Sequence, residues 1–126
     1  MTNGTLILVV EDNEANQLLA SSVLERAGYR IALASDSLQA REVIRRREPD
    51  LILMDIQLPG QDGLDFTREL KADPATAAIP VVALTALAMP GDRERSLEAG
   101  CSGYISKPID TRTLATEIQK YLAAPR

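Results

Sequence analysis

Leu51-Ile52-Leu53-Met54-Asp55 is a run of four consecutive apolar residues that ends in a carboxylate, and the prediction of the fold starts from it. Pro49 precedes this run and Pro59-Gly60 follows it, so the run is short and bounded by residues that interrupt regular structure. Such a run predicts a strand buried on both faces, in the middle of a parallel sheet. Asp55 then lies at the carboxyl end of that strand, where open α/β sheets bind ligands, although a helix N-cap would also place a carboxylate there.

Four more segments predict strands, and helices separate them. The other strands are predicted over residues 6–10, 29–34, 79–84 and 103–106. The helices are expected from Asp12 or Asn13 to Gly28, from Asp36 or Ser37 to Arg47, from Gly63 to about Ala72, from Pro90 to Gly100, and after an N-cap at Asp110. This alternation predicts one α/β domain over residues 1–126, a (βα)5 chain with a doubly wound five-stranded parallel sheet.

The faces of three helices are predicted from their residue patterns. The inward stripe of the first helix consists of Ala15, Leu18, Leu19, Ser22, Val23 and Ala27. The inward stripe of the last helix consists of Leu114, Ile118, Tyr121 and Leu122. The second helix carries Arg41, Arg45, Arg46 and Arg47. These arginines indicate either a solvated face, with Glu42 and Glu48 nearby, or a docking surface for an acidic partner.

Composition limits the chemistry that this chain can perform. Hydrophobic residues make up 45% and charged residues 25%, as in ordinary globular proteins, and the net charge of -4 argues against a nucleic-acid surface. The chain has no histidine, which excludes a histidine base, metal ligand or phosphohistidine within it. The single cysteine, Cys101, is expected to be buried and unreactive in a reducing cytoplasm. We expect neither a signal peptide nor a membrane span.

Polar residues mark the ends of four predicted strands. Glu11-Asp12 follow the first strand, Asp55 ends the third, Thr85 follows the fourth, and Lys107 follows the fifth. Because parallel strands end at the same edge of a sheet, these side chains are expected to meet there. Carboxylates that lie close together repel each other, and Mg²⁺ is the natural compensating cation because it prefers oxygen ligands. A metal, a lysine, a hydroxyl and a carboxylate nucleophile indicate phosphoryl transfer, with Asp55 as the nucleophile.

Four motifs resemble the receiver domain of two-component response regulators, the CheY-like superfamily. They are Val9-Val10-Glu11-Asp12-Asn13, Leu53-Met54-Asp55-Ile56-Gln57-Leu58-Pro59-Gly60-Gln61-Asp62-Gly63, Val82-Ala83-Leu84-Thr85-Ala86 and Tyr104-Ile105-Ser106-Lys107-Pro108. The resemblance covers about residues 6–122, nearly the whole chain. It implies the CheY-like, flavodoxin-like form of the fold, with strand order 2-1-3-4-5.

The resemblance also implies a role for each site residue. Asp55 would accept a phosphoryl group from a phosphohistidine of a partner protein. Thr85 and Lys107 would bind the phosphoryl oxygens. Mg²⁺, or Mn²⁺ in its place, would be held by Glu11, Asp12, Asp55 and the main-chain carbonyl of Gln57.

A two-state switch is implied by the same resemblance. Thr85 would shift toward the phosphoryl group, Tyr104 would turn inward, and the face formed by helix 4, strand 5 and helix 5 would change. That face would bind a downstream protein or a second copy of the chain. The Lys107–Pro108 peptide bond would be cis. Apolar Leu87 is expected to limit water access to the phosphoryl group and to slow its loss.

Two stretches narrow the subgroup within this superfamily. Residues 11–17 and 54–59 are most similar to single-domain DivK-like regulators and to the receivers of hybrid histidine kinases. We therefore expect a response regulator without an output domain, phosphorylated by a histidine kinase or a histidine phosphotransfer protein. It would be no enzyme beyond its own phosphorylation and dephosphorylation. Two alternatives stay open: a receiver taken from a larger hybrid kinase, and a receiver that acts as an unphosphorylated scaffold.

Three other protein classes fit the sequence less well. A DxD-type phosphatase requires a second aspartate where this chain has Gln57. A nucleotide-binding protein requires glycines after the first strand, where this chain has Glu11-Asp12-Asn13-Glu14, and it has no G-x-x-x-x-G-K-[ST] motif. A flavodoxin-like FMN binder would share the fold, but its phosphate loop is missing and aromatic residues make up only 3%.

Overall fold

Strands and helices alternate through the computed structural model, which describes residues 4–86 and 90–123. The strands are β1 (Leu6–Val10), β2 (Arg30–Ala34), β3 (Leu51–Asp55), β4 (Val81–Thr85) and β5 (Gly103–Ser106). The helices are α1 (Glu14–Arg26), α2 (Ser37–Arg46), α3 (Gly63–Ala72), α4 (Asp92–Ala99) and α5 (Leu114–Ala123). All strands pair in parallel, in the order β2-β1-β3-β4-β5, which confirms the predicted fold.

The central strand β3 is buried along its whole length, as its sequence predicts. Alternate residues of a strand point to opposite faces of the sheet. Ile52 and Met54 accordingly join the core that includes residues of α2, α3 and α4. Leu51 and Leu53 join the core that includes residues of α1 and α5. In the part of the chain described here, no helix has the length and apolar character needed to cross a membrane.

The predicted inward face of α1 is wrong in part. Leu18 is 68% exposed, and Ala15 and Ser22 are also exposed. The buried residues of α1 are Ala20, Ser21 and Leu24, and the residues packed partly against the core include Leu19, Val23 and Ala27. Small and apolar residues occur on most sides of this helix, so periodicity defines its face poorly, and packing against the sheet decides it. The stripe of α5 is confirmed, with Leu114 and Ile118 buried and Tyr121 and Leu122 packed against them.

The first residues of α4 and α5 differ from the sequence prediction. Gly91, with φ of 91°, is the N-cap of α4 and adopts a left-handed conformation, so Pro90 lies before α4 and not in its first turn. The Asp110 carboxylate accepts the Arg112 N–H at 2.9 Å and so caps the turn that leads into α5, four residues before that helix begins. The N-caps of α1 and α2 are Asn13 and Asp36, both among the predicted candidates.

The arginines of α2 have acidic neighbours, as the solvated-face interpretation requires. Arg45 and Arg46 contact Glu42 at 2.9 and 3.1 Å. Arg41 contacts Glu69, and its guanidinium carbon lies 4.7 Å from the centre of the Phe66 ring. These exposed pairs are screened by water and contribute little to stability.

Cys101 is buried, as expected, and we predict that its thiol is unreactive in the native state. Its residue is 5% exposed, and burial raises the pKa of the thiol to about 11. At pH 8 the native protein should therefore react with a thiol reagent at least about 100-fold more slowly than the urea-unfolded chain, because thiolate is the reactive form. Stopped-flow measurement with a chromogenic disulfide checks this, and equal rates for the two states would contradict it.

Candidate functional site

The carboxyl ends of β1 and β3 and the residue after β5 bring three predicted site residues into contact. Lys107 Nζ lies 2.8 Å from Glu11 Oε1 and 3.1 Å from Asp55 Oδ2. Glu11 is 0% exposed and Asp55 is 2% exposed. The ammonium therefore bridges two buried carboxylates, and it forms charge-assisted hydrogen bonds with both.

The Asp55 carboxylate is held at both of its oxygens. Oδ2 accepts from Lys107, and Oδ1 accepts from the Gln57 main-chain N–H at 2.9 Å. The next peptide is also anchored, because the Ile56 N–H donates to the Leu84 carbonyl at 3.1 Å on β4. These bonds fix the direction in which the Asp55 side chain leaves the sheet.

Electrostatics at this edge of the sheet favour an additional cation. Burial and the neighbouring Asp55 raise the pKa of Glu11 to about 7. Burial alone would lower the pKa of Lys107, but Glu11 and Asp55 outweigh it and raise that pKa, so the lysine stays protonated. Among the residues that the structure describes, Glu11 Oε2 is buried without a hydrogen-bond partner. The Lys107 ammonium alone thus leaves Glu11 Oε2 buried without a hydrogen bond, and such a group lowers the stability of the folded state.

The acidic cluster, which we define as Glu11, Asp12 and Asp55, fits a hard divalent cation. One carboxylate oxygen from each residue lies within 4.8 Å of those of the other two. Asp12 is exposed, whereas its two partners are buried, so a cation would be reached from solvent on one side only. Mg²⁺ takes one or two carboxylates, keeps several waters and accepts phosphate oxygens. The unsatisfied Glu11 oxygen and this all-oxygen donor set both suit it.

Thr85 and Tyr104 lie on neighbouring strands near the same edge. Thr85 is 0% exposed at the end of β4, and its carbonyl accepts the Lys107 N–H at 2.7 Å. Tyr104 pairs with Ala83 in the β4–β5 register, so its side chain leaves the sheet on the same face as that of Thr85. Tyr104 is half-buried against the core.

The Lys107–Pro108 peptide bond is cis. Leu87, expected to shield the phosphoryl group, lies outside the described residues.

Gly63 is a site residue whose role the sequence reasoning missed. A Cβ atom at Gly63 would lie 2.1 Å from the Asp55 carbonyl oxygen and 2.9 Å from the Ile56 Cα. The Gly63 N–H donates to the Ile56 carbonyl at 2.8 Å, which fastens the start of α3 to the chain just after Asp55. A glycine directly after the Asp62 N-cap was the available signal, because glycine is a poor helix former and is often used where a second backbone approaches closely.

The strand order and the edge position of the acidic cluster define a CheY-like doubly wound α/β domain. The response regulator receiver domain model matches residues 7–119, and the chain belongs to this family of two-component signalling proteins. It is 46% identical over 116 residues to the polar-differentiation response regulator DivK of Brucella anthropi, covering 92% of this chain and 94% of the relative.

Two solved receiver domains are similar in structure to the chain. One belongs to a sensor histidine kinase of Pseudomonas aeruginosa and holds a magnesium ion in its active-site cleft. It is 40% identical with a TM-score of 0.86, and the match covers 96% of this chain and 99% of that one. The other is the beryllofluoride-activated receiver domain of Klebsiella pneumoniae RstA. It is 32% identical with a TM-score of 0.87, and the match covers 95% and 100%.

Proposed function

We propose that this receiver domain takes a phosphoryl group onto Asp55 from a phosphohistidine of a partner histidine kinase or phosphotransfer protein. The observation that carries the proposal is the buried Asp55 carboxylate, held by Lys107 and the Gln57 N–H beside two further carboxylates. An Asp55 oxygen forms the new P–O bond while the P–N bond of the phosphohistidine breaks, and the imidazole leaves. The chain then catalyses its own phosphorylation and dephosphorylation only.

The residues around Asp55 have separate tasks in this transfer. Lys107 moves from the Asp55 carboxylate toward the incoming phosphoryl oxygens, and Thr85 offers them a hydroxyl. Glu11, Asp12, Asp55 and the Gln57 carbonyl would hold Mg²⁺, or Mn²⁺ in its place. When bound, the cation would neutralise part of the negative charge on the phosphoryl oxygens. Support for this ligand set comes from the unsatisfied Glu11 oxygen and from the magnesium ion in the similar Pseudomonas receiver domain.

The output of this switch is proposed at the face formed by α4, β5 and α5. Phosphorylation would draw Thr85 toward the new charge, and Tyr104, on the same face of the sheet, would repack. A groove of about 390 Å³ lies along the β5 and α5 part of that face, and its lining includes Tyr104, Pro108 and Glu117. This groove supports docking of a downstream protein or of a second copy of the chain.

We place the protein in the cytoplasm, where its unpaired cysteine stays reduced.

Binding of beryllofluoride, a mimic of the phosphoryl group, tests the proposal. We expect Mg²⁺-dependent binding that shifts the backbone amide signals of Asp55, Thr85 and Lys107 in ¹⁵N–¹H NMR spectra. Signals of β5 should shift as well, because Tyr104 repacks. A sample with excess EDTA is the control and should show no change. If beryllofluoride leaves the spectrum unchanged at saturating Mg²⁺, the phosphoacceptor function is wrong and the scaffold hypothesis takes its place.

A further inference from the structure

Asp12 differs from the other two residues of the acidic cluster in how it is held. Glu11 and Asp55 both accept hydrogen bonds from Lys107. The Asp12 side chain is exposed, and it makes no hydrogen bond or ion pair within residues 4–86 and 90–123. The direction of its carboxylate therefore depends on the backbone that carries it.

Two hydrogen bonds fix that backbone just before Asp12. The Glu11 N–H donates to the Ala34 carbonyl at 2.9 Å, which ties it to the end of β2. The Glu11 carbonyl accepts from Nε2 of the Gln17 side chain. Because a peptide unit is planar, fixing the Glu11 carbonyl also fixes the N–H and Cα of Asp12.

Gln17 is itself held by its neighbours. It lies in α1, where its own N–H donates to the Asn13 carbonyl at 2.9 Å. The Nε2 atom also donates to Ser35 Oγ at 3.2 Å. The Ser35 N–H in turn donates to Gln39 Oε1 at 2.8 Å, so the chain of bonds continues into α2. The Gln17 amide is thus a fixed donor that links α1, the loop after β1 and the loop after β2.

We propose that Gln17 is a positioning residue for metal binding: its amide fixes the Glu11 carbonyl and so directs the Asp12 carboxylate toward Glu11 and Asp55. This inference rests on the proposed function, since the direction of Asp12 matters for a cation bound at the acidic cluster. Mg²⁺ requires near-ideal octahedral geometry, so a misdirected ligand weakens binding. Loss of a group that orients a metal ligand lowers affinity about 10–100-fold.

Gln17→Met tests this role, because the methionine side chain is similar to that of glutamine in length and helix propensity but has no N–H group to donate. We expect the Mg²⁺ dissociation constant, from ¹⁵N–¹H NMR titration, to rise about tenfold. The rate of phosphorylation by acetyl phosphate should return to that of the wild type once Mg²⁺ is saturating. Gln39→Met is the matched control. It removes a hydrogen bond from the same chain without touching the Glu11 carbonyl, and its dissociation constant should change less than about twofold.

The outcomes separate this inference from the proposed function. If the wild type binds no Mg²⁺, both are wrong. If the wild type binds Mg²⁺ and Gln17→Met binds it equally well, or no worse than Gln39→Met, only the positioning role is wrong. Should circular dichroism show that Gln17→Met is unfolded, Gln17→Glu replaces it. Glutamate keeps the length and polarity without a side-chain donor, and Gln39→Glu is then the control because it adds the same charge. Weaker Mg²⁺ binding by Gln17→Glu than by Gln39→Glu supports the role, and equal or tighter binding overturns it.

Discussion

Asp55→Asn is expected to abolish phosphorylation by acetyl phosphate and by a partner kinase. An amide oxygen carries no negative charge, so it is a poor nucleophile toward phosphorus and a weaker ligand for a cation. The fold should survive, because the amide oxygen still accepts the Gln57 N–H and Lys107 keeps its contact with Glu11. Intact-mass spectrometry of the protein after incubation with acetyl phosphate and Mg²⁺ measures the result as gain of one phosphoryl group or none.

Asp50→Asn is the matched control at the other end of the same strand. The Asp50 carboxylate accepts the Leu6 N–H at 2.8 Å, far from the acidic cluster along β3, and an amide oxygen can accept that bond as well. This variant should be phosphorylated like the wild type. Persistent phosphorylation of Asp55→Asn would show that another residue is the acceptor. In cells, a scaffold receiver would keep its biological effect in Asp55→Asn, whereas a phosphorylated switch would lose it.

Gly63→Ala is expected to lower the free energy of unfolding by about 3 kcal/mol, a large effect for adding one methyl group. The new Cβ would lie 2.1 Å from the Asp55 carbonyl oxygen, and both near neighbours are backbone atoms that cannot rotate away. Helix propensity alone would favour alanine over glycine by about 1 kcal/mol, so the collision has to exceed that gain. Relief of the collision moves the start of α3 away from β3, and phosphorylation should slow as well.

Urea denaturation measures this prediction, with Gly60→Ala as the comparison. Gly60 has φ of 80° and nothing within 4 Å of its added Cβ, so alanine meets only the strain of a left-handed conformation, about 1–2 kcal/mol. Gly63 does not have a positive φ, so its substitution isolates the steric collision. A loss of stability for Gly63→Ala no greater than that for Gly60→Ala would show that the backbone yields easily.

Much of the fold was predictable because the central strands are short apolar runs, and because glycine and proline residues mark where several helices and strands end. Leu6–Val10, Leu51–Asp55 and Val81–Thr85 are buried along their whole lengths, and burial on both faces leaves a continuous apolar signature in the sequence. Helix faces were less predictable. Leu18 is exposed although it fits an apolar stripe, because the position of α1 on the sheet, and not its periodicity, selects the residues that pack.

The order of residues along the chain specifies which polar residues end or follow the strands. It therefore predicts that one edge of the sheet carries Glu11, Asp12, Asp55, Thr85 and Lys107. Parallel pairing is enough for that conclusion, since every strand then ends on the same side. Which atoms meet at that edge depends on the packing of the folded chain. The bridge from Lys107 to Glu11 and Asp55, the close approach of Gly63 to the Asp55 carbonyl and the bond from Gln17 to Glu11 each join atoms of separate elements. Such contacts depend on how helices and loops pack over the sheet, and spacing along the chain does not encode distances of a few ångströms between them.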